Sequence, residues 1–453
     1  MGTTEKIAKF ITELEFSRIP EKGVEQAKAS ILDALGTALV GAKGSSGEIL
    51  TRFVKQMGGN PQARLIGSGF KTSVDQAALA NGTFAHADDY DDIGGFGHPG
   101  AFLMPSLLAL GEWLHLPGRK IIEAYAIGFE IGNRLRLSIG DIVDAGYHGS
   151  CLMGTVAAAA QCARLLALDL TGTRMALGIA ASLASGVMEN FGTQTKPFHA
   201  GHTSRNGVTA ALLAKEGFTA SPNIFEGPRG FFYVYGQEQA MISRMTEHLG
   251  KLLAIAEEGV RVKPWPCCGG NHEALTAMVR LVEKHNIRPD EVESIEVAAS
   301  WKTPGPCLRM EVHVPLEGKF NIPYNMASAL VDRKVDLVTY GDEKFRRPEI
   351  QRLMARVNYI QHPDRKDKPL SLQSESRFAI VTVRLKDGRT LSEYQPSENR
   401  RVLTGDEVAN KFRQNAEIGG LSSGQIAGAI DLMARLETVP DVASLVDMIT
   451  QSG

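Results

Sequence analysis

At 453 residues with 43% apolar side chains, the chain is long enough for roughly two or three domains and for a sizeable buried core. Lysine and arginine together number 49 against 51 aspartate and glutamate, a formal charge of -2 with no basic block. That balance excludes a nucleic-acid or anionic-membrane footprint and leaves small molecules or other protein chains as partners. The opening MGTTEKIAKFITELEF is amphipathic rather than an apolar leader, and the most apolar run, 176–188, stops at Glu189, so a cytoplasmic protein without a membrane span is expected.

In chain order, helical periodicity covers 21–39, 46–56, 73–92, 101–116, 119–139, 148–168, 171–188 and 203–215, with apolar residues at three- and four-residue spacing broken by Gly and Pro. The segments after His148 and Thr171 are rich in Ala and Gly, which lets helices approach closely and places both at the centre of a bundle. The pattern changes after Pro264. Residues 293–300 alternate as a strand, and 378–391 form two β-rich runs around Asp387-Gly388, a hairpin signal, with helical runs at 272–285, 324–331 and 348–357 between them. From Thr404, a plausible N-cap with Glu407 as its capping-box partner, the chain is helical again. The expected fold is therefore mainly α. A large all-helical domain is built from both chain ends, 1–266 and 400–453, and a smaller α+β lid domain, 267–399, is inserted in it.

Two stretches, 81–100 (NGTFAHADDYDDIGGFGHPG) and 190–206 (NFGTQTKPFHAGHTSRN), hold most of the side chains that chemistry could use. On a continuous helix, His86, Asp89 and Tyr90 would share one face at i, i+3, i+4. Gly94, Gly95 and Gly97 would then leave His98 on a flexible loop, held out of the α region by Pro99. Asp88-Asp89-Tyr90-Asp91-Asp92 satisfies a D-D-x-x-D pattern that invites a magnesium–diphosphate reading, but no second acidic motif accompanies it. A metal site from His86, Asp89 and His98 has suitable ligand types and no standard zinc spacing, so no metal is expected. His148, after Gly146-Tyr147, stands where a helix begins and anions are favoured; a simple capping role would explain it too. Lys196, His199, His202 and Arg205, with few acidic neighbours, make a cradle suited to carboxylates. Lys263 lies at the junction of the two units, where pocket walls often form. The five cysteines, Cys151, Cys162, Cys267, Cys268 and Cys307, form no even disulfide set and no C-x-x-C pair. They are read as reduced thiols unsuited to an iron–sulfur cluster.

These residues resemble the MmgE/PrpD family, which includes 2-methylcitrate dehydratase, cis-aconitate decarboxylase and iminodisuccinate epimerase. The resemblance spans nearly the whole chain. It rests on the segment from Asn81 to Asp92 with His98-Pro99, the turn at Gly146 to His148, the segment from Thr195 to Gly207, Lys263-Pro264-Trp265-Pro266, Lys319 to Tyr324, and Leu403 to Val408. It implies a helical domain from both ends with a smaller lid, a homodimer, and no metal or organic cofactor. It also implies pocket roles for Asp89, His98, His148, Lys196, Lys263 and Tyr324. One departure is Ile93, where relatives carry Thr or Ser, so a hydroxyl near the substrate is missing.

The family's reactions pass through a carbanion or enolate beside a carboxylate, which calls for cations to hold the acid and for a base and an acid near neutral pH. The expectation is that His98 and His148 form the acid–base pair and that Asp89 orients His98. Lys196 and Lys263 bind carboxylates with help from His199 and Arg205, and Tyr324 closes the pocket. A hydro-lyase acting on a 2-methylcitrate-like tricarboxylate is the first reading. Epimerisation or decarboxylation by the same groups, or an inactive metabolite-binding dimer, are the alternatives.

Overall fold

The computed structural model describes residues 1–140, 142–143, 145–300, 311–363, 377–397, 403 and 405–450. The protein is mainly α. Its first half runs through α1 (Thr3–Glu13), α2 (Glu21–Gly41), α3 (Ser45–Met57), α4 (Val74–His86), α5 (Pro99–Leu114), α6 (Gly118–Ile139), α7 (Gly149–Leu165), α8 (Leu170–Leu183) and α9 (Thr195–Lys215). α7 is buried along almost its whole length, and its row Ala157, Ala158, Ala159 and Ala160 leaves no side chain to hold neighbours away. The added Cβ of an alanine at Gly207 would lie 2.5 Å from Ala158 Cβ, so α9 rests directly on this row. α4 and α9 meet still more closely, since a Cβ on Gly82 would fall 2.7 Å from Gly201 Cα. That contact sets the last turn of α4 beside the first turn of α9.

Two predicted helix boundaries are corrected. The helix expected over 73–92 stops at His86, and Asp89 takes a left-handed conformation with φ of 50°. Consequently His86, Asp89 and Tyr90 do not share a helix face, and the aspartate run presents no helical D-D-x-x-D surface. The physical reason is tertiary: Asp88, Asp89, Asp91 and Asp92 each bind a different group off the helix axis. The helix expected from Thr203 begins at Thr195, because Pro197 falls in the first turn, where its missing N–H breaks no helical bond. The supposed cradle of 195–205 is therefore a helix, with the faces of a helix.

Two short strands, β1 (Ala63–Arg64) and β2 (Lys71–Thr72), pair between α3 and α4, and β3 (Ile93–Gly94) pairs with β4 (Val260–Arg261). The strands β5 (Val292–Ala299), β6 (Val357–Gln361), β7 (Phe378–Leu385) and β8 (Thr390–Pro396) then form a four-stranded sheet in the order β6-β5-β7-β8, with β5 and β6 parallel and the rest antiparallel. The hairpin at Asp387-Gly388 appears as predicted, Gly388 taking the positive φ of 91° that the tight turn asks of it. Strand β6 had no clear signal in the sequence. Val292, Ile295, Val297, Ala379, Val381 and Val383 share one buried cluster with Leu275, Met278, Met326 and Leu330 of the helices His272–His285 and Ile322–Asp332. Val408, Phe412 and Ala416, on the helix Gly405–Ile418, lie instead in the cluster that holds Ala34 and Leu35 of α2. Thr404, the expected N-cap, and Cys307 lie outside the described residues. Among the described residues no helix is long and apolar enough to cross a membrane.

Candidate active site

Four element ends meet at one point. α4 ends on His86; His98 caps the N-terminus of α5 and His148 that of α7; Lys196 stands in the first turn of α9. Lys263 arrives just after β4, whose pairing with β3 ties it to the loop that carries Asp89, Asp91 and Asp92.

Asp89 is the hub of this cluster. Its Oδ1 accepts from Lys196 Nζ and Lys263 Nζ, each at 2.9 Å, and Lys263 Nζ also donates to the Asp89 carbonyl at 2.7 Å. Burial by itself would push the Asp89 carboxyl up, but the two ammonium groups outweigh it and hold it well below the usual carboxylate range. An ammonium has three N–H groups and no acceptor. Among the described residues Lys196 directs two of its own at Asp89 Oδ1 and His86 Nε2, and Lys263 two at Asp89, so each keeps one to offer. Among the described residues Asp89 Oδ2 is buried without a hydrogen-bond partner.

The histidines differ in state. His86 Nε2 lies 3.0 Å from Lys196 Nζ, which can only donate, so the proton of His86 resides on Nδ1, 2.8 Å from Asp91 Oδ1. Burial brings the His86 imidazole down to about 4, Asp91 opposing and Lys196 assisting. His98 Nδ1 lies 3.0 Å from the Asp92 carbonyl and 3.1 Å from Asp91 Oδ2, both acceptors, so Nδ1 carries the proton and Nε2 faces the cluster. The flexible-loop expectation for His98 is corrected: its ring is pinned at the helix cap. Asp89 Oδ1 is 3.9 Å from His98 Nε2, beyond hydrogen-bond reach, so Asp89 serves the lysines and not the ring. His148 Nδ1 meets His199 Nδ1 at 2.9 Å, and burial, then Lys196 and His199, hold the His148 imidazole well below its ordinary value. The His86 ring stands between the other two, 4.6 Å from His98 and 6.4 Å from His148.

Aromatic rings close the sides. The Lys196 ammonium lies 5.2 Å from the Phe191 ring centre and 5.1 Å from that of Phe320, while Phe191 packs 4.8 Å from the His148 ring. Lys319 reaches the Asp88 carbonyl at 2.9 Å and the Pro266 carbonyl at 3.2 Å. Lys411, from the helix Gly405–Ile418, pairs with Asp33 at 2.7 Å and donates to the Tyr90 carbonyl at 2.6 Å and the Lys263 carbonyl at 3.1 Å.

Of the side chains singled out in the sequence, Asp89, His98, His148, Lys196, Lys263 and His199 come together. Two do not. Tyr324 is fully buried, its hydroxyl donating to the Thr339 carbonyl and its ring packed 5.3 Å from Phe345, and Arg205 turns along α9 to His202 Nδ1 at 3.1 Å. The sequence reading passed over His86 as a site residue and over Asp91, Phe191, Lys319, Phe320 and Lys411. His86, Asp91, Phe191, Lys319 and Phe320 all lay in segments already noted, whereas Lys411 lay outside them. Ligand atoms of His86, Asp89, Asp91 and His98 lie within 4.8 Å of one another, as a metal would need. Yet His86 Nε2 and Asp89 Oδ1 already receive ammonium protons, which occupy the lone pairs a cation would take.

Fold and cluster together define a mainly helical protein with a buried lysine–aspartate–histidine centre. The MmgE/PrpD N-terminal domain model matches residues 5–244 and the MmgE/PrpD C-terminal domain model matches residues 265–434. The chain belongs to the MmgE/PrpD family. It is 27% identical to the cis-aconitate decarboxylase of Mus musculus, covering 99% of this chain and 93% of that one. It is 26% identical to those of Homo sapiens (98% and 94%) and Aspergillus terreus strain NIH 2624 (99% and 96%). These relatives are lyases, and a lyase-type reaction is the class that they support here.

Proposed function

We propose that the protein is a cofactor-independent lyase that decarboxylates a small di- or tricarboxylate of the cis-aconitate type. The supporting observation is the pair of buried ammonium groups, each with one N–H left to offer, set beside two imidazoles whose Nε2 atoms accept or donate no hydrogen bond among the described residues. The lysines hold a carboxylate of the substrate. When a second carboxylate leaves as carbon dioxide, its bonding electron pair stays on carbon and delocalises toward the retained carboxylate, where the ammonium groups offset the growing charge. His98 then delivers a proton to the carbon. Asp89 Oδ2, buried and unpartnered, accepts from any protonated group of the substrate. We take the part of the chain holding Lys319 and Phe320 as a lid over this centre and the working unit as a homodimer, checked by its mass in solution.

Decarboxylation ranks ahead of the dehydration expected from the sequence because the relatives matched over nearly their whole length bear that name. Dehydration of a 2-methylcitrate-like acid remains the second reading, since His148, kept neutral by burial and then by Lys196, is suited to remove a proton while His98 protonates a leaving hydroxyl. Incubating the purified protein with cis-aconitate, 2-methylcitrate and iminodisuccinate, and following carbon dioxide release and product by NMR, separates the cases. Carbon dioxide from cis-aconitate supports the proposal; water loss from 2-methylcitrate, or racemisation of iminodisuccinate, moves it to the corresponding alternative. Inertness toward all three leaves the metabolite-binding dimer.

A further inference from the structure

A single carboxylate joins the acid–base side of this centre to its anion-binding side. Asp91 is wholly buried. Its Oδ1 accepts from His86 Nδ1 at 2.8 Å, its Oδ2 faces His98 Nδ1 at 3.1 Å, and the opposite edge of His86 accepts from Lys196 at 3.0 Å. Lys196, His86 and Asp91 are thus joined by hydrogen bonds, and His98, whose Nδ1 proton goes to the Asp92 carbonyl, lies against the second oxygen of Asp91. His98 has Asp89 and Asp91 from its own loop, the Asp92 carbonyl and the neutral His86 ring from α4 against it. His148 has Lys196 and His199 from α9 and the His86 ring. His98 therefore has carboxylates beside it, and His148 an ammonium group.

We propose that Asp91 is the positioning residue of the site. It fixes His98 with one proton on Nδ1, so that Nε2 is the edge that trades a proton with the substrate, and through His86 it aims the Lys196 ammonium. Asp91 itself touches no substrate. In the cycle, His98 gives its Nε2 proton to the substrate carbon and stays neutral with the Nδ1 proton still held between Asp91 and the Asp92 carbonyl. Its side chain is 16% exposed, so water can return a proton to Nε2 between turnovers. The inference rests on the acid–base reading above for its kinetic consequences, though the state of the ring can be read without any turnover.

The experiment is NMR titration of the intact protein labelled with nitrogen-15 in histidine, in wild type, Asp91→Asn and His86→Gln, beside pH–rate profiles on whichever acid is turned over. In wild type the neutral His98 ring is expected as the Nδ1–H tautomer; the Nε2–H tautomer overturns the proposal and needs no variant to be seen. With its oxygen kept on His86 Nδ1, the amide of Asp91→Asn turns an N–H toward His98 Nδ1, so a clear share of the neutral His98 ring should pass to the Nε2–H tautomer. The same variant should cut kcat about tenfold or more, with KM changed by less than about threefold. His86→Gln should instead raise KM and leave the His98 tautomer in place. An unchanged His98 tautomer in Asp91→Asn refutes the assignment whatever the substrate, while inertness of the wild type toward every acid refutes only the catalytic reading.

Discussion

The Nδ1 atoms of His148 and His199 stand 2.9 Å apart, so only one of the two rings can carry a proton on that edge. Burial first, then Lys196 and His202, bring His199 down to about 4, and His86 comes to about the same value. Both rings are thus neutral when folded and charged when unfolded over the window from their ordinary 6.5 down to about 4. In that window the unfolded chain binds more protons, so this contribution to stability is full above 6.5 and is lost as the pH falls. Asp33, raised by burial to about 6, and Asp92, raised further, act in the opposite sense. The clean comparison is therefore between variants: melting temperature should fall less steeply from pH 6.5 to 4 in His199→Gln than in wild type. Parallel curves would contradict the neutral pair.

Removing either ammonium deprives the developing carbanion of a preorganised partner and leaves Asp89 with one cation in place of two. Lys196→Ala and Lys263→Ala should each lower kcat/KM about a hundredfold or more, roughly 3 kcal/mol of transition-state stabilisation. Circular dichroism distinguishes this from unfolding. Wild-type rates in both would remove the lysines from the mechanism.

Gly201 is where α9 crosses α4. A methyl group there would lie inside contact distance of the Leu79 carbonyl oxygen and Thr83 Oγ1, both on α4. Gly201→Ala should destabilise the protein by about 1–3 kcal/mol through overpacking and reduce activity by displacing Lys196 from Asp89. Thermal melting measures the first effect, and turnover of the surviving folded fraction the second.

Tyr324 and Arg205 spend their polar groups away from the centre. Tyr324→Phe and Arg205→Ala should keep kcat/KM within about threefold of wild type, since neither change removes a group that faces the reacting atoms. A hundredfold loss in either would place that residue in the pocket.

Because Asp89 Oδ1 and His86 Nε2 are engaged by ammonium groups, turnover should be unaffected by chelator and by added divalent ions. Titration with manganese or zinc, read by activity and by metal content after desalting, checks this. Stoichiometric retention of an ion with a gain in rate would restore the metal reading of His86, Asp89, Asp91 and His98.

The residue types of this centre were legible in the sequence; their arrangement was only partly so. Lys263 was found because prolines mark the junction where it lies, and His148 because glycine before a small-residue helix marks an N-terminus. The helix face of His86, Asp89 and Tyr90 was misread because local periodicity cannot register that lysines from α9 and from beyond β4 converge on Asp89 while Lys411, from the helix Gly405–Ile418, holds the Tyr90 carbonyl. Arg205 was misassigned for a related reason. Once 195–205 is helical rather than a loop, Lys196 and His199 point one way and Arg205 another. Asp91 had no signal of its own, since its importance comes from bridging two rings that are brought together only by the fold.

Lys411 sits close to the end of the chain, yet its ammonium fastens the backbone of Tyr90 and Lys263. During synthesis the helices that carry the three histidines emerge long before it does. The nascent protein therefore lacks this one tie between the acidic loop and the Lys263 backbone until residue 411 has left the ribosome, although Lys196 and Lys263 can already reach Asp89.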